Sequence, residues 1–599
     1  MTADSRQEMR FWNPEFDYEH HDDGSIVMRQ RGKLPDYLPT LAAYLDKWAD
    51  NTPDQIWLAR RSAGGDWQSI SYGDSRKRAL SIGASLLSMG LGAKKPLLIL
   101  SENSLEHGLM GLACLYVGIP YAPVSPAYSL ASNDHAKLKH VASLLKPGAI
   151  FADNGKQYEA ACKTTLQFTE AKIINVRNPI EDAITFDDLH TADIASAQAA
   201  RGEINKDSVV KYLFTSGSTG APKAVINTNE MICSMQAMVR DCYRFLTVQP
   251  PVVLDWAPWN HTAAGNKVSY LTLTNGGSYY IDDGKPIPGK FDETLRNLRE
   301  IACTWYFNVP LGWDMLIDAL EQDSELSEKF YSQLQMMFYA GAGMAQHTWD
   351  RLRRIGQRTK SHEVLIATSL GATETAPFAL ACTQVQEKSG NVGVPSRGLS
   401  MKLVPVDGNK LELRLKGPSI TPGYFNDPDK TQAAFDSDGY YCMGDALRAV
   451  DNTDFSKGFY FDGRLAENFK LNTGTWVAVG AIRAKLVDAM GGLVRDAVIV
   501  GENESEVGAL LLLSDESSEM DNTDLYQKLS LVLAEVSKSA TGSASRVKRA
   551  VVLRDSPSFD KGEITEKGSL NQQAMRTNHN ELIGFLYSES GDLERLLVE

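Results

Sequence analysis

Up to about Lys402 the chain alternates short apolar runs with amphipathic stretches of helical period. Leu41, Tyr44, Leu45 and Trp48 recur at helical spacing and predict one helix face, while Trp67 to Tyr72 alternates as a short strand does. Leu97–Leu100, Ala149–Ala152 and Lys172–Val176 predict strands, with Ser101 or Asn103 placed to cap the helix after the first of them. The weakly polar run from Gly108 to Val124 is broken by Gly118, Pro120 and Pro123, so it predicts a buried helix turning into a strand and is too short to span a membrane. Val209–Phe214 is β-branched, aromatic and apolar, which predicts a buried strand carrying the polar residues after it to a sheet edge. A helix over Met231–Phe245 and a strand over Val252–Leu254 follow. Met336–Gly343 and Val364–Glu374 each read as a strand running into a turn of small residues. Strands alternating with helices predict an α/β fold of parallel sheets covered on both faces, with ligands at the turns that follow strand C-termini.

Two regions break this rhythm. Residues 1 to about 36 are polar and irregular, with Phe11, Trp12, Phe16 and Tyr18 expected to lie on the body of the protein. Beyond Lys402 come short alternating segments such as Leu411–Leu415, which predict a β-rich subdomain. After Gly463-Arg464 the pattern becomes strand (Val498–Val500), strand (Ala509–Leu513), helix (Asp524–Val536) and strand (Ala550–Leu553). That is enough for a compact α+β domain of roughly 135 residues. The expected division is a large domain over 1–463 and a small one over 464–599.

Composition narrows the partners. The net charge of −14, from 61 basic and 75 acidic residues, comes with dispersed Lys and Arg and leaves no footprint for nucleic acid or an anionic membrane. A small-molecule partner is expected. Seven cysteines include no Cys-x-x-Cys pair, and six lie among apolar or aromatic neighbours, as reduced thiols of a cytoplasmic protein do. Met1–Arg6 opens a polar segment without the apolar region of a secretory signal.

The densest chemistry lies in Tyr212-Leu213-Phe214-Thr215-Ser216-Gly217-Ser218-Thr219-Gly220-Ala221-Pro222-Lys223. Gly217 and Gly220 remove Cβ atoms that would keep backbone N–H groups from a polyphosphate. Thr215, Ser216, Ser218 and Thr219 add hydroxyl donors, and Lys223 adds a point charge. Neither glycine is followed by the Lys-Ser/Thr of the NTPase P-loop, so this is a different phosphate grip. An ordinary surface turn has a similar composition; the twelve residues taken as a string resemble the signature of the adenylate-forming superfamily, which contains acyl-CoA synthetases, adenylation domains and luciferases.

The resemblance extends along almost the full chain. In Gly371-Ala372-Thr373-Glu374 it implies that Thr373 touches phosphate and Glu374 holds Mg²⁺, a hard ligand for a hard ion. It implies that Asp445 accepts the ribose hydroxyl hydrogens with Arg464 as second ribose ligand, and that Gly341 and Ala342, in Ala340–Gly343, lie beneath adenine. His261, in Pro258-Trp259-Asn260-His261, would border the acyl carboxylate. Among subfamilies the chain resembles feruloyl-CoA synthetases, through Tyr121–Leu130, Trp259–Thr262, Phe461–Lys470, Thr473–Val477 and Gly562–Gly568. Three positions depart from the superfamily pattern: Ala466 where an Asp or Lys hinge is usual, Arg483 where Glu is common, and Gly562-Glu563 where Gly-Lys is usual. The adenylation lysine is then Lys567 or Lys561, and Lys567 is preferred because it lies inside the matching string.

What the resemblance implies is an acid:CoA ligase that uses ATP, Mg²⁺ and CoA, makes acyl-AMP and then a thioester, and rotates a small mobile C-terminal domain between the two steps. Hydroxycinnamic acids such as ferulic acid are the expected substrates. Their pocket is expected between Asp255–Gly265 and Trp305–Asn308, where aromatic walls suit a planar acid. A fatty acyl-CoA synthetase, an adenylation enzyme with a non-CoA acceptor, and a nucleotide-binding protein without catalysis are the alternatives.

Overall fold

A computed structural model describes residues 12 and 14–598 apart from 192, 217–220, 361–363, 408–409, 541, 566–567 and 589–594. Among the described residues a seven-stranded sheet runs in the order Pro222–Thr228, Val209–Ser216, Tyr121–Pro123, Leu97–Ile99, Ala149–Asn154, Lys172–Arg177 and Ile184–Thr185. Its strands are parallel except for the edge hairpin, where Thr215 pairs with Lys223 and Ser216 with Pro222. Leu97–Ile99 is buried throughout, the continuous apolar run of a strand covered on both faces. The helix Leu105–Val117 covers one face; its cap is Ser104, whose hydroxyl accepts from His107 N–H, and it ends at Gly118 in the left-handed region. The sequence had pointed to Ser101 or Asn103 as the cap. Asn103 instead serves tertiary structure, as described below.

A second sheet sets Val252–Asp255, Ser278–Ile281 and Ile56–Arg61 parallel, with Trp67–Ser71 antiparallel at its edge. A third holds Trp305–Asn308, Met336–Tyr339 and Leu365–Ala367, all parallel. The largest, of nine strands among the described residues, is antiparallel and takes in the β-rich segments after Lys402. Its far edge is a hairpin of Phe16–His20 and Ile26–Gln30, the latter paired with Ser400–Asp407. Residues 16–30, expected to be irregular, therefore form a hairpin, while Phe11 lies outside the described residues: charges on the outer face of Phe16–His20 conceal a strand whose order comes from its partners, a contribution that composition does not show.

From Phe469 onward the buried apolar residues form two clusters of their own around a sheet of Val494–Val500, Val507–Leu513, Val547–Leu553 and Arg595–Leu597. One loop of this region reaches across. Asp560 accepts from Ser132 Oγ at 2.7 Å and from Asn133 N at 3.2 Å, and Lys137 Nζ lies 3.9 Å from the centre of the Phe559 ring. Six cysteines are buried and Cys442 is partly so. Among the described residues no helix is long and apolar enough to cross a membrane.

Candidate functional site

The edge hairpin places Thr215 and Lys223 opposite each other at the root of the Gly/Ser loop. Gly217, Ser218, Thr219 and Gly220 lie outside the described residues, as does the side chain of Ser216. Thr215 Oγ1 is buried and has no hydrogen-bond partner among the described residues. Such an orphan costs about 1–3 kcal/mol unless a ligand satisfies it.

Lys223 Nζ donates to Tyr424 Oη at 3.0 Å, and Tyr424 Oη donates to Glu374 Oε1 at 2.9 Å. Lys223 and Glu374 stand 3.8 Å apart. Burial, followed by the charge of Glu374, pushes the Tyr424 hydroxyl up, so it remains a donor. Glu374 is only 6% exposed, yet Oε2 has no hydrogen bond among the described residues and is left for a further ligand. The carboxylate is held in place by its backbone. Thr373–Thr375 is a single tight turn, Ala372 N–H donates to Thr375 Oγ1, and Thr421 N–H donates to Glu374 O at 2.8 Å. Gly371 is required there, because a Cβ would sit 1.9 Å from the carbonyl oxygen of Pro377. Thr373 is buried beside Glu374.

Asp445 and Arg464 are cross-strand partners in the large sheet, with Arg464 Nε 3.6 Å from Asp445 Oδ1. Asp445 is buried and accepts no hydrogen bond from the described residues. Burial pushes its carboxyl up to about 6; Arg464 opposes the shift, while the carboxylates of Glu467 and Glu374 add to it. Gly341 and Ala342 are exposed at the end of the strand Met336–Tyr339, and Gly341 has φ +92, which a side chain would strain.

His261 is half-buried at the start of a helical segment. Its Nδ1 accepts from Ala263 N–H at 3.3 Å and its carbonyl accepts from Gly265 N–H at 2.7 Å. The segment before it is braced. Asn103 accepts from Trp259 N–H and donates to Ala257 O, and Trp259 Nε1 donates to Tyr279 Oη, which donates to Asp255. Trp256 Nε1 donates to Asn308 Oδ1 at 3.2 Å, so the two stretches expected to flank the acid lie side by side.

Lys567 lies outside the described residues. Lys561 is exposed, next to the docked Asp560. Arg483, at the position where Glu is common, makes a two-pronged pair with Asp496 at 2.5 and 2.7 Å inside the small domain.

Three side chains escaped the sequence reading. Tyr424 carries no signal beyond a Gly-Tyr in a loop. Lys211 and Lys267 do carry one: each is a lone charge inside a run otherwise small or apolar, and both are at most 2% exposed. Lys211 Nζ donates to Gly265 O at 2.7 Å beside a cavity of about 50 Å³ lined by His107, Tyr121, Trp259 and Tyr270.

The fold thus sets a lysine–tyrosine–carboxylate cluster and a separate buried carboxylate among loops at strand ends, where α/β folds bind ligands. Residues 45–425 match the model of the AMP-binding enzyme family, and residues 471–591 match that of the AMP-binding enzyme C-terminal domain. The chain belongs to the AMP-binding enzyme family. Its relatives include the 4-coumarate-CoA ligase CCL1 of Humulus lupulus, 23% identical over 558 residues that span 90% of this chain and 95% of that one. Carboxylic acid reductase of Mycobacterium marinum is 26% identical over 427 residues, 66% of this chain but 34% of the reductase. Among solved structures, ATP-bound MatB from Rhodopseudomonas palustris has a TM-score of 0.66 at 21% identity, covering 90% of this chain and 99% of that one. The A domain of the carboxylic acid reductase from Segniliparus rugosus, in complex with AMP and a co-purified carboxylic acid, has a TM-score of 0.69 at 18% identity, covering 92% and 94%. These structural likenesses show the fold.

Proposed function

We propose that the protein is an acid:CoA ligase acting on hydroxycinnamic acids, with a large domain over 1–463 and a small domain over 464–599. The observation that carries this reading is the Lys223–Tyr424–Glu374 cluster at the root of the Gly/Ser loop. A carboxylate attacking the α-phosphorus of ATP meets like charge, so the site must gather donors and cations where charge builds. Thr215, with a hydroxyl that has no partner among the described residues, and the loop Ser216, Gly217, Ser218, Thr219 and Gly220 bind the phosphates; Lys223 offsets their charge. Thr373 adds a hydroxyl. Glu374 has the free oxygen that Mg²⁺ would take, and the ion when bound neutralises charge shared by the phosphate oxygens.

Asp445 and Arg464 fix the ribose, and the Gly341-Ala342 turn leaves room for adenine. His261 orients the acid's carboxylate. Lys567 of the small domain steadies the attacking carboxylate and the α-phosphate during adenylation only. The carboxylate oxygen bonds to phosphorus as pyrophosphate leaves; the CoA sulfur then bonds to the acyl carbon as AMP leaves.

The reading is tested by AMP release with a panel of cinnamic, benzoic and fatty acids, with and without CoA. Hydroxycinnamates should turn over fastest, and AMP should appear catalytically only with CoA. Faster turnover of saturated C8 to C16 acids would end the substrate assignment. Acyl-AMP formed but not consumed by CoA would favour the carboxylic acid reductase pattern of an adenylation enzyme with another acceptor.

A further inference from the structure

Lys267 is a buried amine with no acidic partner among the described residues. It is 2% exposed, and its Nζ lies 3.4 Å from the centre of the Phe338 ring, 4.7 Å from that of Phe378 and 5.4 Å from that of Trp305. Its one polar contact among the described residues is Ser369 Oγ at 3.3 Å. An uncharged amine has two N–H donors and a lone pair, so one donor and the lone pair are unspent. Leaving such a group in an apolar cage is costly, whereas methionine would fill the same volume freely. Burial drives the amine well below its ordinary range and favours its uncharged form, whose lone pair can accept a hydrogen bond.

Its place in the fold links it to the acid. Lys267 belongs to the π-helical turn Ala263–Val268, which begins two residues after His261. Phe338 lies on the strand that delivers the Ala340–Gly343 turn, and Ser369 lies on Ser369–Leu370, just before Gly371–Glu374. Ser369, whose hydroxyl holds the amine, is partly exposed, so the amine lies one hydroxyl beneath an accessible surface; Ala263, Ala340 and His261 are each partly exposed as well. Lys267 follows His261 by six residues, so the two side chains leave this segment more than one turn apart, while 4-hydroxycinnamate separates its carboxyl carbon from its para oxygen by roughly 8 Å at standard bond lengths.

We propose that Lys267 is the specificity-determining residue of the acyl pocket, receiving a second acidic oxygen at the end of the acid remote from the carboxylate that is activated. The oxygen belongs to a phenol or to a second carboxyl group. A phenol donates its O–H hydrogen bond to the Nζ lone pair; a second carboxylic acid, the stronger acid, transfers its proton to Nζ and its carboxylate pairs with the ammonium so formed. The inference rests on the ligase reading and narrows its substrate class.

The test is acid-dependent ATP–pyrophosphate exchange by the full chain and its Lys267→Met variant, on two matched pairs: cinnamate with 4-hydroxycinnamate, and octanoate with octanedioate. The wild type should prefer the doubly acidic member of at least one pair by about tenfold or more in kcat/KM. In the variant that ratio should fall to near one or invert, with the KM for ATP unchanged and thermal stability no lower. A variant that keeps the wild-type ratios overturns the proposal. So does a wild type without preference in either pair, a result that needs no folded variant. A Lys267-dependent preference for octanedioate with no turnover of either cinnamate would sustain Lys267 and end the hydroxycinnamate assignment. Good turnover of both cinnamates without discrimination would do the reverse. Absence of exchange with every acid ends both.

Discussion

Asp445→Asn separates two consequences of one buried carboxylate. Asp445 is 5% exposed and accepts no hydrogen bond from the described residues, so both oxygens are available to a ribose diol. A hydrogen bond to a charged group contributes about 1.5–3 kcal/mol. The amide keeps one acceptor and turns an NH₂ toward the second hydroxyl, so about one charged bond is lost. At 1.4 kcal/mol per decade, the KM for ATP should rise about 10- to 150-fold, with kcat little changed because the ribose does not react. Acidity supplies a second signature. With its carboxyl near pH 6, wild-type Asp445 is mostly protonated at pH 5, so the wild-type KM for ATP should rise about tenfold from pH 7 to pH 5 while the variant's stays flat. Stability should move the other way. A carboxyl raised to about 6 in the fold favours folding below its unfolded value of 3.8, and that advantage is lost as pH rises through 6. At pH 7 the neutral amide should therefore stabilise the ligand-free protein by about 2–3 kcal/mol. ATP–pyrophosphate exchange from pH 5 to 8 with ATP and 2′-deoxy-ATP, together with denaturant melts, measures all three. An unchanged KM for ATP, or an equal 2′-deoxy penalty in both proteins, would refute the ribose assignment.

Three further outcomes are expected. Glu374→Gln should cost both half-reactions on the order of 10²-fold or more, since a neutral amide holds Mg²⁺ poorly; wild-type exchange in that variant removes Glu374 from the metal site. Lys567→Ala should lose adenylation yet convert supplied acyl-AMP and CoA to thioester, while Lys561→Ala does neither harm; the reverse pattern in exchange and thioester assays transfers the role to Lys561. Lys211→Met should raise stability at pH 7, because the amine is buried without an acid among the described residues and Gly265 O keeps a second donor, Ser269 Oγ at 2.8 Å. Burial depresses the Lys211 pKa, so the wild type gains stability as pH rises toward 10.5, and the gap between the two proteins in urea melts should narrow between pH 7 and pH 10; a constant gap contradicts the mechanism.

The sequence alone determined what depends on neighbours along the chain. The run Val209–Phe214 announced a buried strand, Leu411–Leu415 an alternating one, and Leu97–Leu100 a further strand, because alternation and continuous apolarity reflect burial directly. The phosphate-loop string was legible for the same reason: its glycines and hydroxyls are contiguous. Tertiary structure decided what depends on residues far apart. Tyr424 joins Lys223 and Glu374 across 201 and 50 positions, and Asn103 braces Trp259 across 156. Phe16–His20 became a strand only because Ile26–Gln30 pairs with Ser400–Asp407. Lys211 and Lys267 are charged residues in the sequence, and only packing reveals them as amines buried among aromatic rings. Local pattern reports whether a side chain is hidden; which groups it meets there is set by long-range packing, since desolvation and hydrogen bonding act between atoms in contact regardless of their separation along the chain.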